Sequence, residues 1–196
     1  MLVIRAIFKV KMEKESRQIE EENQSSQLVP HVVTYKVENK LIFGRTLDDL
    51  TKLTDRNFVV SRIKHNDEVI IPNSDTTLQE GDLLLVVLSL HDESALEAFI
   101  GRPVEMNWEA IPAPVVSRRI LVTRPEFNGR KIGSLRLRMG YRLNATRVNR
   151  AGLDLLANPN LELQIGDRLT VVGRIEDINR LAEKLGNSTK RLHEPN

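Results

Sequence analysis

Two carboxylates, Asp82 and Asp167, stand out as groups that could do chemistry. Each follows a glycine, in Leu78-Gln79-Glu80-Gly81-Asp82 and in Leu163-Gln164-Ile165-Gly166-Asp167, and each precedes an apolar run. Paired carboxylates are the usual acid–base couple. A Gly-Asp turn entering a buried strand also needs an Asp to bond its own backbone, and the recurrence of the device favours that structural role. The four histidines, His31, His65, His91 and His193, share no metal-ligand spacing, so no metal site is expected. There is no cysteine, no Walker lysine loop and no GxGxxG fingerprint. The expectation is a protein that is not an enzyme and carries no cofactor.

Arginine supplies the other chemical signal. Residues 118–150 hold ten cations, Arg118, Arg119, Arg124, Arg130, Lys131, Arg136, Arg138, Arg142, Arg147 and Arg150, against the one acid Glu126, a charge of +9. Residues 33–65 hold seven cations and four acids, or +3. Guanidinium forks suit bidentate binding of phosphate or carboxylate. Arg118, Arg119, Arg130, Lys131, Arg136, Arg138 and Arg142 are therefore read as a basic patch facing an anion or anionic lipid headgroups. A solvated face paired with a Glu-rich segment such as residues 20–22 is the other reading. Aromatic content is 4% and no nucleic-acid motif stands beside the arginines, so no nucleic-acid partner is expected.

The elements that position these groups come in two copies. At an offset of 85, without gaps, residues 31–101 and 116–186 share sixteen identities, where chance would give about four. They include Gly44-Arg45 on Gly129-Arg130, Arg62 on Arg147, Gly81-Asp82 on Gly166-Asp167, and Asp92, Leu96 and Gly101 on Asp177, Leu181 and Gly186. In the first copy a strand lies at 32–37 and a short helix, capped by Thr46, carries Leu47, Leu50 and Leu53. Strands follow at 58–63, 69–71 and 83–90, and a last helix is capped by Asp92 and closed by Gly101. The second copy repeats this with strands at 120–122, 143–148, 153–156 and 168–172, a short helix at 134–139, and a last helix capped by Asp177. The fold class is α+β, two tandem copies of a β-α-β-β-β-α module. Each copy of about 70 residues sits near the lower limit for an independent core, so the copies should pack on each other or on a second chain.

The expected organisation is a membrane-proximal segment and charged linker at 1–30, a first domain at 31–101, a Pro-rich linker at 102–116 and a second domain at 117–186. A polar tail occupies 187–196. Residues 1–10 are apolar apart from Arg5 and Lys9 and too short to span a bilayer, which needs about 20 residues. They suit a buried element or the cytoplasmic end of a membrane helix. Trp108, in the linker, is expected to dock on a module surface, with stacking on a ligand as the other reading.

A strand, Gly-Arg before a short helix, a second strand, a turn and then L-x-x-GD-x-L-x-V-x-G resembles the RCK C-terminal (TrkA-C) domain; Leu163 to Gly173 follows that pattern closely. Tandem copies resemble the aspartate–alanine exchanger family of bacterial membrane transporters. The resemblance implies a regulatory region at the cytoplasmic face of the cell membrane within a multi-pass, homodimeric transporter, and an amino-acid antiporter or cation transporter as the whole. It also implies a small anionic ligand such as a cyclic dinucleotide, bound near strands two and three of each copy. By position that site would use Ile63, His65, Ile71 and Pro72 in the first copy and Val148, Arg150 and Leu156 in the second. The alternative is a structural dimerisation module of a transporter with no ligand.

Overall fold

A computed structural model of the chain describes residues 29–111 and 114–186. The segment read as membrane-proximal, up to residue 28, and the tail from 187 lie outside the described residues. The first module contains β1 (Pro30–Lys36), α1 (Leu47–Thr54), β2 (Phe58–His65), β3 (Glu68–Ile70), β4 (Leu83–Ser89) and α2 (Glu93–Ile100). The second contains β5 (Val116–Leu121), α3 (Leu137–Tyr141), β6 (Asn144–Arg150), β7 (Leu153–Leu156), β8 (Arg168–Gly173) and α4 (Ile175–Leu185). Two four-stranded antiparallel sheets result, ordered β1-β4-β2-β3 and β5-β8-β6-β7. The α+β, twice-repeated architecture is the expected one.

The correspondence extends to hydrogen-bond register. Val32 lies opposite Val87 and Ser117 opposite Val172; Ile63 lies opposite Ile70 and Val148 opposite Leu155. β2 shifts register between Val60 and Arg62, and β6 between Ala145 and Arg147. Each module therefore carries a bulge at the same place, which bends the strand and re-aims the side chains that follow.

Each sheet buries one face under its helices. Val60, Ile63, Leu84, Val86 and Leu88 pack with Leu96 and Ile100, and Ala145, Val148, Leu169 and Val171 pack with Ile178, Leu181 and Leu185. Alternation along a strand sends the intervening residues to the opposite face. There Val59, Ser61, Val87, Asn144, Thr146 and Val172 are buried too, because β2 packs on β6 and β7 packs against β1 and β4. The modules thus meet sheet to sheet, with helices outermost, and two small cores are reinforced by a shared interface. Trp108 closes the edge of the first sheet: its indole Nε1 donates to Thr34 Oγ1 at 2.9 Å, and it is buried as the sequence suggested.

Local details differ from expectation: β5 starts at Val116 rather than 120, Leu53 of α1 is exposed rather than packed, and three helix ends depart as well. Asp177 does not cap the last helix: α4 starts at Ile175, with Arg174 at the N-cap, and Asp177 lies in the first turn, where its charge suits the helix dipole. Asp92 stands at the start of α2 but makes no side-chain capping bond there; its carboxylate accepts from Ser89 Oγ at 2.9 Å. The short helix of the second module is split into a 3-10 turn at Ile132–Leu135 and α3, because Arg136 takes a left-handed conformation between them (φ 48°). The first module keeps one helix, held by a capping box in which Thr46 and Asp49 satisfy each other's backbone.

Candidate functional site

The Gly-Asp turns are locked structural units. Asp82 and Asp167 are only 3% and 1% exposed. Asp167 Oδ2 accepts the Gln164 amide at 2.8 Å, and Asp82 Oδ2 accepts the Gln79 amide at 2.9 Å. The preceding glycines adopt φ +84° and +93° and donate to the carbonyls of Val37 and Val122. Such a backbone is one L side chains rarely adopt. The two aspartates lie in separate modules, each bound to its own turn.

Each buried carboxylate is met by the residue at the end of strand two. Arg150 Nε and Nη2 donate to Asp167 Oδ1 and Oδ2 at 2.9 and 2.8 Å, and Nη2 also reaches the Glu162 carbonyl at 2.7 Å. The bond to Asp167 raises the Arg150 pKa further above its usual range. In the first module His65 Nδ1 sits 2.7 Å from Asp82 Oδ1. These are two of the residues placed in a ligand site by resemblance. Of the others, Ile63 and Val148 lie in the two hydrophobic cores, Pro72 is buried, and Ile71 and Leu156 are half-buried.

Leu156 does face a cleft. A cavity of about 910 Å³ lies between α1 and the start of β2 on one side and α3 and the start of β6 on the other. That volume falls within the range of small-molecule sites, about 300–1,000 Å³. Much of its lining falls into positions 85 apart, such as Leu47 and Ile132, Phe58 and Leu143, and Asn73 and Asn158. The cleft therefore straddles an approximate two-fold relation between the modules. Its floor is crossed by the buried Asn144, whose Nδ2 donates to the Val60 carbonyl of the first module at 2.6 Å. Arg138 Nη2 in turn approaches Asn144 Oδ1 at 3.4 Å.

The basic patch divides. Arg136 and Arg138 line this cleft with Arg56. Arg118 and Arg119 lie on β5 and line a different cavity, which shares no residue with the first. Arg130, Lys131 and Arg142 are exposed, Arg130 lying over the Phe127 ring at 5.7 Å. Sequence reasoning missed Asn144, Arg56 and the asparagines of the cleft. The available signal for the asparagines was the repeat identity of Asn73 with Asn158, a polar identity 85 residues apart that now lies on both sides of the cleft.

Among the described residues no three His, Asp or Glu side chains are grouped as metal ligands, and no helix is long and apolar enough to cross a membrane.

Comparison with known proteins agrees with the repeat. The family model of the TrkA-C domain matches twice, at residues 32–101 and 116–186. An uncharacterized transporter of Bacteroides thetaiotaomicron is 46% identical over 196 residues, covering 100% of this chain and 35% of that protein. A putative transport protein of Klebsiella pneumoniae is 31% identical, covering 99% of this chain and 35% of its own length. The chain thus spans about a third of the curated relatives it matches. Among solved structures, the GsuK RCK domain aligns with 80% of this chain and 63% of its own, at 11% identity and a TM-score of 0.38. The chain belongs to the TrkA-C domain family, as two tandem copies that correspond to one region of relatives named as transporters.

Proposed function

We propose that the chain is the regulatory region of a bacterial membrane transporter, lying at the cytoplasmic face of the cell membrane and coupling ligand binding or module movement to the membrane part. The observation that carries this reading is the cleft shared by two face-to-face TrkA-C modules. A ligand there touches both modules, so it favours one relative arrangement of the two over others, and a regulator acts through that differential affinity. Arg56, Arg136 and Arg138 suit an anion, and the paired asparagines suit a ligand with donors and acceptors on both halves, as a cyclic dinucleotide has. The transporter belongs, on this reading, to the aspartate–alanine exchanger type and works as a homodimer.

The test is a thermal-shift screen of the chain against cyclic dinucleotides, nucleotides and amino acids. A ligand at a hundredfold excess over its Kd stabilises the folded form by about 2.7 kcal/mol. A saturable shift lost in Arg136→Ala supports sensing at this cleft. Uptake by the full-length transporter in vesicles should then respond to the same compound.

A structural role without a ligand is the second reading. It is favoured by His65 and Arg150, which already spend their hydrogen bonds on Asp82 and Asp167. Absence of any shift, together with full transport by the Arg136→Ala protein, selects it.

A further inference from the structure

The second cavity between the sheets, about 540 Å³, is built from arginines of both modules. Arg62 and Arg147 are the repeat-related pair, and each follows the bulge of its strand. Ser61 and Thr146, at the bulges themselves, are buried in the same interface. Arg119 joins them across the second sheet: Arg147 and Arg119 both lie opposite Thr170, one on each side of β8. Arg118 completes the rim.

Compensation for these charges is thin. Arg62 Nε is buried and has no hydrogen-bond partner among the described residues. Glu109 acts on Arg62 from the linker, and burial pushes the Arg62 pKa down. Asp154 stands 4.0 Å from Arg147, longer than a hydrogen bond. Among the described residues, Arg118 bonds only its neighbour's carbonyl, at Ser117. Four lining arginines against the one lining acid, Asp154, leave the cavity at +3, or +2 when Glu109 beside it is counted. A guanidinium kept out of water without a partner is costly, and an anion with several oxygens removes that cost through bidentate bonds.

The first module cannot use its own edge in the same way. The position equivalent to Arg119 is Thr34, and its hydroxyl is taken by Trp108. The cationic contribution from the edge therefore comes from the second module alone, while the central pair comes from both.

We propose that this cavity binds a small, freely diffusing anion carrying two phosphate groups, a diphosphate-type ligand. One group is held by Arg62 and the other by Arg147 with Arg119. The site is separate from the cleft lined by Arg136 and does not depend on the transporter reading.

The probe is inorganic pyrophosphate, titrated into the full 196-residue chain by calorimetry, with thermal shift in parallel. The expected result is saturable binding, weakened roughly tenfold or more by Arg147→Gln and by Arg119→Gln. Arg119 is exposed on an edge strand, so Arg119→Gln should fold normally and keeps the test valid if Arg147→Gln does not. Binding should be unchanged in Arg136→Gln and in Arg130→Gln. Failure to saturate, or equal weakening by Arg130→Gln, overturns the proposal in favour of diffuse surface charge. Weakening by Arg136→Gln alone moves the anion to the other cleft and overturns it too. Capture of the chain by phosphatidylglycerol vesicles with no response to pyrophosphate also overturns it, because the arginines then serve a membrane surface.

Discussion

Arg150 holds Asp167 by two parallel hydrogen bonds of 2.9 and 2.8 Å, and His65 holds Asp82 by one of 2.7 Å, at positions related by the same repeat offset. The two modules thus solve one problem, a nearly buried carboxylate in the Gly-Asp turn, with different partners, a guanidinium in one and an imidazole in the other. Removing the partner of a buried charge is strongly destabilising, by about 3–5 kcal/mol. Arg150→Ala should lie near the low end of that range, since its side chain is 27% exposed and water can reach the site. His65→Ala, which deletes a single bond, should cost less. Denaturant unfolding of both variants measures the order; a larger loss for His65→Ala would refute it.

Asn144 ties the modules together. Its side chain is 3% exposed and donates to the Val60 carbonyl across the interface. Asn144→Ala deletes that bond and leaves a small void in the interface, and should cost about 1–3 kcal/mol. Hydrogen exchange should accelerate in β2 and β6 before it does in α2 or α4, because the interface loosens while each module's core stays packed.

The capping box of α1 makes stability depend on pH. The Thr46 backbone amide and hydroxyl both bond the Asp49 carboxylate and hold its pKa below the ordinary carboxylate range. A depressed folded-state pKa contributes stability above the unfolded value, and that stability is lost as pH falls through the folded value. Thr46→Ala deletes the hydroxyl bond and keeps the backbone one, so it should flatten the acid limb of the stability curve only in part. At neutral pH the lost cap should cost about 1 kcal/mol.

Two glycines at positive φ should differ in tolerance. Gly101 has φ +139°, and a Cβ there would stand 2.3 Å from the Lys36 carbonyl oxygen, whereas Gly81 at φ +84° faces open space. Gly101→Ala must distort β1 or the end of α2 and should cost about 1–3 kcal/mol. Gly81→Ala carries only the conformational penalty, about 1–2 kcal/mol. Comparing the two melting temperatures checks the ranking.

Trp108, the single tryptophan, reports on linker docking. Trp108→Phe keeps most of the apolar packing and deletes the bond to Thr34, a net loss of about 1 kcal/mol. In the unaltered chain its fluorescence should change together with unfolding of the first module. A change well before that transition would mean the linker docks independently.

The sequence by itself determined the repeat, the α+β module, the Gly-Asp turns and the family. Those follow from local signals: strand alternation, turn glycines and the spacing of apolar positions all act within a few residues. The split of the second short helix escaped, since nothing in Ser134-Leu135-Arg136 announces a left-handed arginine. Only the tertiary structure decided that the sheets meet face to face, that Arg150 and His65 turn to their own aspartates, and that the basic segment divides between two clefts. Those outcomes depend on residues far apart in the chain. A bulge shifts which face each later side chain takes, and a buried carboxylate captures whichever hydrogen-bonding partner the register brings beside it. Neither can be read from charge counts along one segment.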